Sequence, residues 1–339
     1  MKKKCLLATF ISCSLLFGSL NAQETSNAEK VNTWIGKFTT WIDAGNWQEI
    51  NNNITTCEAE LPDWEWLSYY KGMAALNLNN PKEAIANLTD FLNRMPDQTA
   101  VYLARGNAYL AQQKTDEAIA DFSKYLESTP NDEAAIFNRA AAFGIKKDYQ
   151  NMLQDLKKVL SINPKNTEAW INLSQIYAIN ENWQECIDAL SNLIALQPEK
   201  VDFYTQRAFA NYSLKTVEGM QAAIADYEKA ITLDPQSLNN YAQKAVCHKA
   251  LKDYAGELSC YEALEKAAPQ DEQFYFSKGV ALLRLEKYKE AISALDKAIE
   301  LNPKFSGAYQ NRAVAKSKIK DTAGAKADLE KAKVLKEQN

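Results

Sequence analysis

Hydrophobic residues along this chain fall into short stripes of helical period, most plainly in Glu272–Phe305. In its first half Tyr275, Gly279 and Leu282 recur at i, i+4 and i+7, one face of an α-helix. After a break at Glu286–Lys287, a second stripe follows: Tyr288, Ala291, Ile292, Leu295, Ala298 and Ile299, ending at Asn302-Pro303. The spacing predicts two amphipathic helices joined by a tight turn. Gly279 and Ala291 are small enough to let the two helices approach closely, while the large residues fill the space beside them. One such hairpin cannot bury both of its stripes, so the pattern makes physical sense only if the unit recurs.

The prolines show that it does. Pro62, Pro96, Pro130, Pro164 and Pro198 follow at 34 residues, one step of 37 leads to Pro235, and 34 returns to Pro269 and Pro303; only Pro81 stands outside. Aligned on them, the chain reads as units 31–64, 65–98, 99–132, 133–166, 167–200, 201–237, 238–271, 272–305 and 306–339. Position 4 of the unit is large: Trp34, Tyr102, Trp170, Tyr204, Tyr241, Tyr275 and Tyr309, with Ser68 and Ile136 departing. Position 8 is small: Gly72, Gly106, Ala140, Ser174, Ala208, Ala245, Gly279 and Ala313. Position 20 is Ala84, Ala118, Ala223, Ala291 and Ala325, with Cys186 close to it and Ile50, Met152 and Glu257 departing.

A helix–turn–helix of this period with these positions resembles the tetratricopeptide repeat (TPR). The resemblance covers units 31–339 and implies an all-α, right-handed superhelical solenoid of about nine repeats. Unit 31–64 is the most divergent, with Phe38 in place of the small residue, and is expected to be an atypical capping repeat. The three extra residues before Pro235 are expected as slack in the turn around Lys215–Met220, with a contact loop as the alternative.

The N-terminus has another character. Lys2, Lys3 and Lys4 precede an apolar Leu6–Leu20 and a small-residue end at Asn21-Ala22, the layout of a secretory signal peptide spanning 1–22. Residues 23–30 would be a leader, and the junction looks like those of Bacteroidota, which implies a periplasm. A lipoprotein signal at Cys13 is the alternative, against which Ile11 stands where a small residue is preferred. No transmembrane segment is expected once the signal is removed. Loss of the three lysines takes Lys plus Arg from 39 to 36 against 43 acidic residues, a net charge of −7. Such a chain is a poor non-specific ligand for nucleic acid.

Position 7 carries a cation in eight units: Lys37, Lys71, Arg105, Arg139, Arg207, Lys244, Lys278 and Arg312. Taken alone, that row suggests a groove for nucleic acid or an acidic peptide. Position 23, however, is Asp121, Asp155, Asp226 and Asp328 in the four units that carry Arg at position 7, and in no other. Arg offers a planar fork to a carboxylate and Lys does not, so these four pairs are read as structural ion pairs within each repeat.

Little else suggests chemistry. Cys57 and Cys186 replace small core residues, and Cys247 and Cys260 are expected as free thiols, although a disulfide between them is conceivable in an oxidising compartment. No Cys/His spacing suggests a metal, and His248, the single histidine, falls at an aromatic core position. With no phosphate loop and no nucleophile–base pair, no catalytic residue, metal or cofactor is expected, and the chain reads as a non-enzyme. Five tryptophans lie between Trp34 and Trp66; they either thicken the core of the cap or, at Trp64 and Trp66, dock a partner.

The resemblance implies protein or peptide binding on the face of the first helices, at positions 2, 5, 9 and 12. Position 5 has no Lys and position 6 no Arg, so a clamp for a terminal carboxylate is not supported. The expected groove is apolar: Tyr69, Met73, Leu103, Leu110, Phe137 and Ile171, then Phe209, Tyr212, Phe276, Val280 and Leu283, with Asn107 and Gln175 as polar points. About half of these side chains are expected to pack between neighbouring units instead. The alternatives are a structural subunit of an envelope assembly, a homo-oligomer joined through its repeat faces among them, and lastly an enzyme with an unrecognised site.

Overall fold

The computed structural model describes residues 22–337, with side chains from Ser26 onward. The expected signal segment, apart from its last residue, and Cys13 lie outside the described residues. Among those residues there are eighteen α-helices and no strand. The chain divides into two compact units between Ala169 and Trp170. The first holds α1 (Ala22–Asp43), α2 (Trp47–Glu60), α3 (Trp66–Asn77), α4 (Pro81–Arg94), α5 (Thr99–Ala111), α6 (Thr115–Ser128), α7 (Glu133–Ile145) and α8 (Tyr149–Ile162). The division falls in α9 (Thr167–Ile179). The second holds α10 (Trp183–Leu196), α11 (Val201–Ser213), α12 (Val217–Leu233), α13 (Leu238–Ala250), α14 (Tyr254–Ala267), α15 (Glu272–Arg284), α16 (Tyr288–Leu301), α17 (Ser306–Lys318) and α18 (Thr322–Glu337).

Inside each unit, consecutive helices pack on one another. The first helices of successive hairpins also touch, α3 with α5, α5 with α7 and α15 with α17, so they form one side of the stack. The small residues of position 8 allow this packing. A Cβ at Gly72 or Gly279 would run into the side chain of Leu88 or Leu295, both fully buried on the second helix. Ala84, Ala118, Ala223 and Ala291 are likewise buried to nothing at position 20. Where Met152 takes that place, Gly144 on the facing helix leaves room for its sulfur.

The turn inside each hairpin rests on one left-handed residue at position 15. It is glycine only once, Gly45; elsewhere Asn79, Gln113, Lys147, Glu181, Lys215, Lys252, Glu286 and Lys320 hold φ between 56° and 68°. Closure explains why these side chains tolerate the conformation. The following N–H reaches back to the first helix, Lys114 N to Tyr109 O at 2.9 Å and Asp148 N to Phe143 O at 2.9 Å, satisfying carbonyls that would otherwise be orphaned. Side chains such as Asp132, Asp148, Thr216 and Asp253 then cap the second or the next helix.

The three extra residues are not slack. Lys215 occupies the same left-handed position as its counterparts, and α12 has 17 residues where α10 has 14, so the insertion is an added turn at the start of α12. Thr216 caps that turn through Gly219 N at 3.0 Å, and Gly219 sits against the carbonyl of Asn211, where a Cβ would clash.

At the N-terminal end α1 begins at Ala22 and runs through the stretch expected to be a leader. Phe38, fully buried, fills the space that position 8 leaves open elsewhere, with Tyr70 at 4.3 Å and Trp64 parallel to it at 6.2 Å between ring centroids. Trp66 packs on Phe91 at 5.1 Å. Trp64 and Trp66 are both half-buried in these clusters, so the cap tryptophans thicken the core and do not stand out as a docking pair.

A left-handed conformation costs a residue with a Cβ roughly 1–2 kcal/mol, offset in a glycine variant by about 0.4–1 kcal/mol of extra unfolded-state entropy. Lys147→Gly and Glu286→Gly should therefore each stabilise the protein by about 0.5–1 kcal/mol in urea unfolding. A loss of stability in both would show that these turns carry no backbone strain.

Candidate functional site

The four Arg–Asp pairs form with near-identical geometry. Arg105 donates from Nε and one terminal nitrogen to the two oxygens of Asp121, each at 2.8 Å, and Arg139 grips Asp155 at the same distances. Arg207 holds Asp226 at 2.9 and 2.6 Å, and Arg312 holds Asp328 at 2.8 and 2.5 Å. All four carboxylates are buried. The remaining terminal nitrogen reaches back to position 25 of the preceding hairpin: Thr89 at 3.2 Å, Ser123 at 3.1 Å, Ser191 at 2.9 Å and Asp296 at 2.6 Å. Each guanidinium thus ties together its own two helices and the helix before them. At three of the sites its plane also lies near the ring at position 4, Tyr102, Tyr204 or Tyr309.

Lysine at the same position behaves differently. Lys71 bonds Glu58 at 2.7 Å, Lys244 bonds Glu228 at 2.8 Å, and Lys278 bonds Glu265, each carboxylate on the preceding hairpin. Lys37 lies 4.1 Å over the ring of Trp34. The row of cations is therefore consumed by contacts inside the fold and offers no free basic face.

Burial weighs against Asp328, but Arg312 and Lys316, the latter at 3.0 Å, outweigh it and hold the carboxyl below its ordinary range. Burial pushes Glu257 up; its partner is Arg284, reaching across from the next hairpin at 3.1 Å. His248 is half-buried, not in the apolar core: its Nδ1 lies 2.8 Å from Asp253, the cap of α14, with Gly256 directly beneath the ring. Cys57, Cys186, Cys247 and Cys260 are free and buried, and burial pushes each thiol up to about 11. Among the described residues no cluster of His, Cys, Asp and Glu could hold a metal.

The expected groove side chains do not form one surface. Tyr69 and Met73 pack against the Phe91 cluster, and Leu103, Leu110 and Phe137 are half-buried. Asn107 accepts a hydrogen bond from Asn138 at 2.9 Å. In the second unit Ile171, Tyr212, Val280 and Leu283 are half-buried, and Phe276 stacks on Phe305 at 4.6 Å. Only Gln175 and Phe209 are exposed. Those two border the same cavity, about 500 Å³ in volume, between α9, α10, α11, α12 and α13.

Its apolar part comes from Trp183, Phe209, Tyr227, Cys186, Ala178 and Ala210. Phe209 is 54% exposed, with its ring at 82° to that of Trp183 and 5.8 Å away. The polar part is Ser174, Thr205, Gln175, Gln206, Asn239 and Gln243. No Asp, Glu, Lys or Arg lines it. The sequence reading missed Trp183, which enters from the second helix of its hairpin, and the amides at positions 2 and 6, a recurrence that was visible in the alignment of units.

Three tetratricopeptide-repeat profiles match the chain, at residues 69–133, at 134–166 and 218–237, and at 273–305. The matches lie on the same hairpins that the prolines delimit. The chain belongs to the tetratricopeptide-repeat family. No curated protein matches it. Solved TPR structures resemble it at low identity. MamA from Desulfovibrio magneticus RS-1 is 22% identical with a TM-score of 0.45, covering 51% of this chain and 96% of its own. YrrB, described as a TPR protein with an unusual peptide-binding site, is 20% identical with a TM-score of 0.44, over 55% and 95%. A tetratricopeptide repeat protein from Parabacteroides merdae is 14% identical with a TM-score of 0.44, over 74% and 98%. No helix among the described residues of this TPR protein is long and apolar enough to cross a membrane.

Removing one partner of a buried pair strands the other charge, at roughly 3–5 kcal/mol. Arg207→Ala and Asp226→Ala should each approach that loss, and the double variant should lose well under their sum; additive losses would show the two do not couple. Alkylation of the native protein at pH 8 should leave all four thiols unmodified until denaturant is added, because little thiolate forms at a pKa of about 11.

Proposed function

We propose that this TPR protein is a non-catalytic periplasmic scaffold that binds a segment of another protein on the side formed by the first helices of its hairpins. One observation carries the reading: Phe209 stands 54% exposed on α11 in the lining of a cavity that no charged residue borders. An exposed aromatic at a concave, uncharged site is what an interface anchor requires, and nothing in the packing of α11 requires it. The first unit contributes less, since Tyr69 and Met73 pack into the Phe91 cluster and Asn107 is bonded to Asn138.

Export rests on the basic start Lys2–Lys4 and the apolar run that follows it. Mass spectrometry of the protein from its native envelope should give an N-terminus near Gln23; a diacylated start at Cys13 would place the protein on a membrane instead. For binding, cross-linking in envelope extract should capture a discrete partner saturably, and Phe209→Ala should weaken capture about tenfold or more without changing the thermal midpoint. Raising salt should alter it little, since no charge lines the cavity. Capture that salt abolishes and Phe209→Ala leaves intact would place the binding face elsewhere. A second reading, a structural subunit of an assembly, is favoured by Leu329 and Val334, 54% and 37% exposed on α18. It would show as an oligomer that survives Phe209→Ala.

A further inference from the structure

The cavity beside Phe209 holds, at its floor, a polar group that the fold leaves unused. Tyr227 on α12 lines the cavity with its ring packed in the core and only 2% of the residue exposed. Among the described residues its hydroxyl has no hydrogen-bond partner, yet no fully buried side-chain oxygen lacks one. The small exposed part of Tyr227 therefore includes the hydroxyl oxygen, and that part belongs to the cavity. Other buried tyrosines are engaged: Tyr125 bonds Asp132 at 2.8 Å and Tyr204 the Pro198 carbonyl at 3.0 Å. Burial raises the Tyr227 phenol above its ordinary range, so it keeps its proton to donate.

Acceptors and further donors border the same space. Ser174 donates to the Ile171 carbonyl at 2.8 Å and Thr205 to Asn240 at 3.0 Å, which leaves lone pairs on both hydroxyl oxygens. Gln175, Gln206, Asn239 and Gln243 are exposed in the lining, and among the described residues none of them has a partner. Trp183 and Phe209 form an apolar corner, their rings at 82°.

This lining selects its occupant by chemistry. Polar groups reach the cavity from α9, α11, α12 and α13, so a ligand must present donors and acceptors all round its edge. It must also offer the rings an apolar face and carry no charge, since nothing here would pair one. A pyranose meets all three conditions. Each of its hydroxyls both donates and accepts, and its C–H face suits the negative face of an aromatic ring. A peptide strand presents its backbone groups along two opposite edges only, and a helix has already used them.

We infer that the cavity binds a neutral sugar ring, with Tyr227 at its floor, the four amides at its rim and the Trp183–Phe209 corner against the ring's face. A volume of about 500 Å³ lies within the range of small-ligand sites. The inference goes beyond the protein-binding reading and stands without it. Where both hold they share Phe209, so free sugar and the protein segment compete.

The test is a glycan array, neutral and charged, probed with the full mature chain, then calorimetry with the neutral oligosaccharide that binds best. Tyr227→Phe removes only the hydroxyl and should keep the thermal midpoint; a lowered midpoint would show that the fold uses the group and would overturn the inference. Expected is saturable one-to-one binding, little altered by salt and about tenfold weaker in Tyr227→Phe and in Gln206→Ala/Gln243→Ala. A free oligosaccharide and the glycan of a captured protein share this chemistry. The first displaces a partner whose capture survives periodate oxidation of the extract; the second shows as capture that periodate abolishes.

Binding of no glycan, binding of charged glycans only, or binding indifferent to both variants would overturn the inference. A sugar bound beside a Phe209-dependent partner without displacing it would do the same. Capture that depends on Phe209 with no sugar bound leaves the protein-binding reading standing alone. Sugar binding as expected, with capture untouched by Phe209→Ala, leaves this inference standing alone.

Discussion

Each hairpin of this protein has to be joined to its neighbour through a contact that specifies register, because apolar stripes alone would tolerate sliding. The arginine forks supply that contact. Two nitrogens on a buried carboxylate and a third on the preceding helix leave one arrangement in which all three guanidinium nitrogens are bonded. Burying such a pair adds little net stability over a well-packed apolar equivalent, so its value lies in geometry. The tyrosine at position 4 completes the seat at Arg105, Arg207 and Arg312.

Lysine units obey the same constraint with different means. An ammonium cannot hold two oxygens in a plane, and in these units position 23 carries no Asp for it to hold. Lys71, Lys244 and Lys278 instead reach only backward, to carboxylates that are partly in water. In hairpin 167–200 the position is Leu173, 2% exposed, and packing replaces the charge altogether. One register position is thus met in three ways, and the cavity around Phe209 is lined by no charged residue.

The repeat, its helices and the pairing of Arg with Asp were legible in the sequence because each depends on residues at fixed spacing within one unit. What was not legible depends on backbone conformation or on several units at once. Nothing in Lys147 or Glu286 announces a left-handed residue; the position shows itself only through φ. The insertion before Pro235 offered the same three residues to a loop or to a helix, and Thr216 and Gly219 decided for the helix. The reach of each arginine to position 25 was missed because the Arg–Asp correlation is internal to a hairpin and carries no trace of Thr89 or Ser123. How open each groove position stands was not legible either: Tyr69 and Phe276 lie against rings of their own units, Phe91 and Phe305, while Phe209 stays 54% exposed beside Trp183 of the preceding hairpin.

The backward reach of the arginines gives the chain a direction in time. A polypeptide leaves the ribosome N-terminus first, so when Arg105 emerges, Thr89 is already outside and Asp121 is still sixteen residues behind. In chain order, then, one bond of each guanidinium points to a hairpin already complete and two point to a helix still to come. Arg312 repeats this with Asp296 ahead of it and Asp328 behind. The four hairpins that carry arginine are in this way each keyed to the one before, as bricks are set to the course below.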